Sequence, residues 1–136
     1  MALKVELKPG EKLIIGESMI TNGTHRARFF IEGSAPILRE KDIQTVESAD
    51  SPAKRIYLAV QIMYLEQKTE SVSDEYFKLV GQIIEAAPST VPYVTDISKA
   101  IIAGNYYKAL KEARKLIDYE RTLIGHVSAS NPSLPE

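Results

Sequence analysis

Asp50-Ser51-Pro52-Ala53-Lys54-Arg55-Ile56-Tyr57-Leu58-Ala59-Val60-Gln61-Ile62-Met63-Tyr64-Leu65 is where the hydrophobic period of this chain changes from two to that of a helix. Ser51 carries a hydroxyl suited to accept from the free N–H groups of a first helical turn. Pro52 follows at the first helical position, where a missing N–H does no harm. The pattern predicts a helix running to about Gln67. Nine of the ten residues from Ile56 to Leu65 are apolar, Gln61 being the exception, so this helix lacks a broad wet face and is expected to be buried on two sides.

Upstream of this stretch the period is two. Leu3, Val5 and Leu7 alternate with Lys4, Glu6 and Lys8 before Pro9-Gly10 breaks the run, the pattern of a half-buried strand followed by a turn. Brief β-prone runs recur at Leu13-Ile14-Ile15 before Gly16, Met19-Ile20-Thr21 before Asn22-Gly23, and Phe29-Phe30-Ile31 before Gly33. Asn22-Gly23 is the strongest hairpin signal of the chain. A sheet this small needs a helix layer or a second subunit to cover its apolar face.

Downstream, helical periodicity continues. Ser71 with Asp74 three places on fits a capping box, and Tyr76, Val80, Ile83, Ile84 and Ala87 then share one face. Ser89 and Thr90 are placed to cap a third helix through Val94, Ile97 and Ile101. Gly104 and Asn105 then supply a C-cap and an N-cap side by side, which predicts a tight hairpin of the third and fourth helices. The fourth, from about Tyr106 to Ile124, is expected to turn Tyr106, Ala109, Leu110, Ala113, Leu116, Ile117 and Ile124 inward. His126 to Glu136 is rich in Ser, Pro and Asn, a composition that predicts a flexible tail. The fold class is therefore α+β: a small N-terminal antiparallel sheet over residues 1–46, a bundle of about four helices over 47–124, and a tail over 125–136.

Composition narrows the function. With 136 residues, 44% hydrophobic and 26% charged, the chain is an ordinary globular protein. No apolar run approaches the length of a bilayer span and the start is not that of a signal peptide, so a cytoplasmic protein is expected. The absence of cysteine removes disulfides, thiol nucleophiles and thiolate metal sites. His25 and His126 have no second ligand at metal spacing. No phosphate-binding glycine loop is present, and Ser18, Ser34 and Ser73 lack an activating histidine. Neither enzyme, metal nor cofactor is indicated.

Surface recognition remains. A net charge of −1 provides no overall attraction for nucleic acid, so any such role needs a local basic cluster. Lys108, Lys111, Arg114 and Lys115 recur at helical spacings of three and four and make one candidate stripe, either for phosphates or as an ordinary solvated face. Tyr57, Tyr64, Tyr106 and Tyr107 either stack on bases or belong to the core.

Leu7-Lys8-Pro9-Gly10-Glu11, Ile15-Gly16-Glu17, Ala35-Pro36-Ile37-Leu38-Arg39-Glu40, Pro52-Ala53-Lys54-Arg55-Ile56-Tyr57-Leu58 and the run from Tyr107 to Leu116 resemble the FlbT family. The resemblance covers about residues 3–120. It implies a cytoplasmic protein of flagellated alphaproteobacteria that represses flagellin synthesis after transcription and associates with the untranslated leader of the flagellin mRNA. Within the N-terminal part, Gly10-Glu11, Ile15-Gly16, Arg28, Ala35-Pro36, Arg39-Glu40 and Ile43 also resemble CsrA, an intertwined dimeric translational repressor. That likeness implies an RNA edge containing Leu3, Lys4, Val5 and Arg39. In an RNA-binding repressor, Arg26, Arg28 and the stripe from Lys108 to Lys115 are expected to add phosphate contacts. The chain departs from CsrA in having fewer residues between Ala35-Pro36 and Arg39, and in carrying Leu7-Lys8 where CsrA has two arginines. The implied partner is the flagellin mRNA leader and the implied assembly a homodimer. The alternative is a protein-binding adaptor that grips flagellin or another flagellar regulator through the apolar helix from Ile56 to Leu65.

Overall fold

The alternating N-terminal runs form five short strands, β1 (Leu3–Leu7), β2 (Lys12–Ile15), β3 (Ser18–Thr21), β4 (Ala27–Ile31) and β5 (Ile37–Arg39). The structure, a computed structural model, describes residues 2–130, with side chains to residue 125. The chain divides into two units, Met1–Ile43 and Gln44–Glu136.

In the first unit the strands make two antiparallel sheets rather than one. β1 pairs with β4, while β2 lies between β3 and β5. The tight hairpin joins β2 to β3 through Gly16-Glu17, with Ile15 opposite Ser18. Gly16 has φ 59°, the left-handed conformation that a glycine at the first central position of a two-residue turn adopts without strain.

Asn22-Gly23, expected to form a hairpin, joins the two sheets instead, because the side chain of Asn22 is used to hold the loop. Its amide donates to the carbonyls of Leu7 at 3.1 Å, Lys8 at 2.9 Å and His25 at 2.8 Å. Its backbone N–H donates to Glu11 at 2.9 Å, and Gly10 donates to the Gly23 carbonyl at 3.0 Å. The buried cluster of this unit is small: Val5, Leu7 and Leu13, flanked by Ile15, Ile31 and Ile37.

The second unit is helical, with α1 (Pro52–Glu66), α2 (Ser73–Ala86), α3 (Val91–Ile102) and α4 (Tyr106–Ser130). Ser51 caps α1 as its sequence predicts, accepting from the Lys54 N–H at 3.2 Å. A second first-turn donor, the N–H of Ala53, is met at 2.9 Å by the Glu120 carboxylate on α4. Both contacts satisfy groups that a helix start leaves free.

Ala53, Ile56, Tyr57, Ala59, Val60 and Met63 are all buried, and α1 packs against both α2 and α4, which accounts for its over-apolar composition. Gln61, the polar exception, is only 5% exposed. Its side chain accepts from the N–H of Gln44 at 2.7 Å and donates to the Gln44 carbonyl at 3.0 Å, so burial leaves neither amide atom unmatched.

The capping box expected at Ser71 does not form. Ser71 donates to the Glu66 carboxylate at 2.7 Å, and α2 starts without a side-chain cap. Likewise Thr90 donates to the Ala87 carbonyl at 2.7 Å, within a 3-10 turn over Pro88–Thr90, rather than capping α3. A nearby carboxylate in the first case and a local backbone carbonyl in the second compete successfully for these short hydroxyls. The α3–α4 hairpin is as expected: Gly104 has φ 76°, and the Asn105 side chain accepts from the Lys108 N–H at 3.1 Å. Ala109, Leu110, Ala113, Leu116 and Ile117 are buried, whereas Ile124, expected inward, is exposed. α4 continues to Ser130, through the start of the segment read as a tail; residues 131–136 lie outside the described residues. Among the described residues no helix is long and apolar enough to cross a membrane.

Candidate nucleic-acid interface

The pairing of β1 with β4 sets Lys4 opposite Phe30 and Glu6 opposite Arg28. Strand alternation therefore puts Lys4, Glu6, Arg28 and Phe30 on one face of this sheet, and Leu3, Val5, Leu7, Phe29 and Ile31 on the other. Val5 and Leu7 are both 1% exposed, which identifies the second face as the inner one. On the outer face three cations surround one carboxylate. Glu6 lies 3.8 Å from Lys4 Nζ, 3.7 Å from an Arg26 guanidinium nitrogen and 3.4 Å from Arg28 Nε. A fourth cation joins them from the other sheet, since Arg39 Nη2 on β5 donates to the Lys4 carbonyl at 3.5 Å. Surface pairs of this kind contribute little stability. The result is a cationic patch in which three positive side chains surround the single carboxylate of Glu6 and Arg39 lies beside Lys4.

The structure thus gathers Lys4, Arg28 and Arg39, residues far apart in the sequence, into one place. Leu3 sits on the opposite face of β1, partly exposed, and Val5 is buried in the core at 1% exposure, so Val5 offers no surface to a ligand. The stripe on α4 is a different object. Arg114 lies 4.8 Å over the ring of Tyr57 and donates to its hydroxyl at 3.5 Å. Lys111 lies 4.8 Å over Tyr107, and Lys115 pairs with Glu112 at 3.1 Å. Lys108 lines a cleft with Asp96, Lys99 and Glu112. These are local partnerships of mixed sign. Tyr57 and Arg114 hold α1 and α4 together.

The family model described as Flagellar protein FlbT matches residues 3–124. This chain belongs to the FlbT family. The Probable flagellum biosynthesis repressor protein FlbT 1 of Bradyrhizobium diazoefficiens is 51% identical over 133 residues, covering 97% of this chain and 91% of that protein. The Probable flagellum biosynthesis repressor protein FlbT of Rhodopseudomonas palustris is 50% identical over 124 residues, 91% of this chain and 98% of that protein. The Flagellum biosynthesis repressor protein FlbT of Caulobacter vibrioides is 37% identical over 132 residues, 95% of this chain and 94% of that protein. No solved structure matches.

Two further features of this FlbT-family protein are not visible in its sequence pattern. Phe30, on the cationic face, is 66% exposed; the signal that finds it is the two-residue step from Arg28 on a strand whose residues Phe29 and Ile31 lie on the opposite face. The helical unit also holds a cavity of about 400 Å³ lined by Met63, Tyr76, Phe77, Ile101, Ile102 and Tyr106. Burial pushes the Tyr76 phenol above its ordinary pKa, a hydrogen bond with Ser98 at 2.8 Å opposing the shift. Among the described residues no group of three metal-ligating side chains occurs.

Proposed function

We propose that this protein represses flagellin synthesis after transcription by binding the untranslated leader of the flagellin mRNA in the cytoplasm, without catalysis. Repression then arises from occupancy, the bound protein covering the leader or stabilising a structure that hides the ribosome site. The names of the relatives, flagellum biosynthesis repressors, support the biological half of this reading. The observation that carries the molecular half is the convergence of Lys4, Arg26, Arg28 and Arg39 from β1, β4, β5 and the loop before β4. Such a cluster supplies the phosphate contacts that a protein of net charge −1 otherwise lacks. The binding species in this reading is a homodimer. β3, exposed along its whole length and free of charged residues, provides an unguarded edge for a second copy.

The test is binding of the purified protein to a flagellin leader transcript at two salt concentrations. The expected result is tight binding that weakens steeply with salt and is weakened in Arg28→Ala and Arg39→Ala. Undiminished affinity in both variants would remove the patch as the RNA surface.

The cavity beside α2, with Phe77 and Ile102 exposed at its margin, favours a second reading, an adaptor that takes an apolar segment of flagellin or of another flagellar regulator. That activity would show little salt dependence and would fall in Ile102→Asp, leaving RNA affinity unchanged.

A further inference from the structure

We propose that the cationic face of the β1–β4 sheet binds single-stranded RNA by stacking an unpaired base on Phe30, with Lys4 and Arg28 holding the adjoining phosphates; this rests on the RNA-binding reading above. Phe30 is directly opposite Lys4 across the strand pair and two residues along β4 from Arg28, on the same face as both. A nucleotide offers a flat base on one side of its sugar and a charged phosphate on the other. A face that takes one therefore needs an open ring beside a cation, which is the arrangement here. The ring is 66% exposed. Tyr64 pairs with Tyr107, Tyr76 with Phe77 and Tyr93 with Tyr119, and Phe30 belongs to none of these pairs.

The chemistry separates the occupants. A duplex keeps its base faces stacked and offers a side-chain ring nothing but backbone, whereas unpaired bases in loops and leaders are free to splay onto an aromatic platform. A second copy docked face to face through this patch would set four cations against four, a mismatch that disfavours the contact. An apolar protein segment would meet Phe30 but would have to strip water from Lys4, Arg26 and Arg28, whose side chains are more than half exposed. A flexible polyanion with flat faces satisfies the ring and the cations together. Phe30 is also sequence-tolerant as a contact, because every base has a π-face. The inference is accordingly one of strandedness and not of a particular base sequence.

The chain contains no tryptophan, so Phe30→Trp places a unique reporter at the site. The experiment titrates full-length wild-type protein, Phe30→Trp, Phe30→Ala and Arg28→Ala with an unstructured labelled oligoribonucleotide and with a duplex of the same length. Circular dichroism and sedimentation verify fold and mass for each. Phe30→Ala is expected to weaken single-strand binding about ten-fold or more, with its salt slope and its duplex binding unchanged. Arg28→Ala is expected to reduce the salt slope by about 0.7 for each phosphate that the arginine neutralises. Phe30→Trp is expected to retain affinity, its emission quenched by the single strand and not by the duplex. Wild-type affinity in Phe30→Ala, or unquenched indole emission from Phe30→Trp with RNA bound, overturns the stacking while leaving the RNA reading intact. Loss of oligomeric mass in Phe30→Ala overturns it by assigning the ring to a second copy. Failure of the wild-type protein to bind the single strand while it still binds a flagellin leader transcript overturns the stacking alone, and failure to bind the leader transcript as well overturns both proposals.

Discussion

In the sheet unit the buried cluster consists of Val5, Leu7 and Leu13, whereas α4 alone brings Ala109, Leu110, Ala113, Leu116 and Ile117 into the interior of the helical unit. The difference shows in what each surface is free to do. Helices α1 and α4 are tied by an aromatic–guanidinium contact and a carboxylate on a helix start, and α1 also carries a doubly bonded glutamine; much of their polar chemistry is spent inside the unit. In the sheet unit Asn22, Glu11 and Glu40 are spent in the same way. Lys4, Arg26 and Arg28, by contrast, gather on an outer face around Glu6, where they are available to a ligand. A basic residue is therefore a better functional candidate in the sheet unit than at helical spacing on α4, although the sequence displays the α4 stripe more conspicuously.

This contrast is best broken in the core. Leu116→Ala is expected to cost the helical unit roughly 2–5 kcal/mol, read as a lowered urea midpoint of the far-ultraviolet helical signal. A loss no greater than that of a surface substitution would mean that α4 is not the organising helix. Next in size is Asn22→Asp, which replaces a three-way donor by a carboxylate facing three carbonyl oxygens. It should cost the sheet unit roughly 1–3 kcal/mol. Hydrogen exchange checks it: faster exchange in β1 and β2 with helical amides unchanged sharpens the division, and uniform acceleration across both units dissolves it.

Ser51→Ala comes third, at roughly 1 kcal/mol. Glu120 still meets the N–H of Ala53, so thermal denaturation should show a reduced but not abolished α1, with Ser51→Asp close to wild type. The smallest effect is in pH. Because burial raises the Tyr76 pKa, the unfolded phenol gives up its proton at lower pH than the folded one. Its contribution is complete below the ordinary tyrosine pKa and declines as pH rises through the folded value. Denaturation curves from neutral to strongly alkaline pH should show this decline in the wild type and a shallower one in Tyr76→Phe.

Element by element, what is legible in the sequence is whatever depends on near neighbours. The strand from Leu3 to Leu7, the Ser51 cap, the burial of the α1 run and the Gly104-Asn105 turn all follow from residues within one or two turns of each other. Strand pairing does not. Asn22-Gly23 has the local signature of a hairpin, but its amide is claimed by carbonyls of Leu7 and Lys8, some fifteen residues away, and the hairpin passes to Gly16-Glu17. The same limit applies to the candidate site. Lys4, Arg28 and Arg39 are legible as individual basic residues through resemblance, yet the meeting of Lys4 and Arg28 at Glu6 depends on β1 lying beside β4, and Arg39 joins them by reaching across from β5 to the Lys4 carbonyl. Phe30 becomes visible only once the pairing register shows which side of β4 faces out.

Asn22 has one more consequence, and it concerns time. An Asn-Gly pair loses its side-chain amide readily as ammonia, because the unhindered nitrogen of the glycine can attack the asparagine carbonyl carbon. In this loop the leaving amide is held by three carbonyls, and the attacking nitrogen already donates its hydrogen to Asn22 Oδ1 at 2.9 Å. The bonds that replace the hairpin with a joint between two sheets thus also oppose the spontaneous chemistry of the dipeptide. Folded protein should keep its asparagine longer than unfolded chain, and a molecule that does lose it would carry a carboxylate that disfavours the loop: a record of age written into the sheet unit.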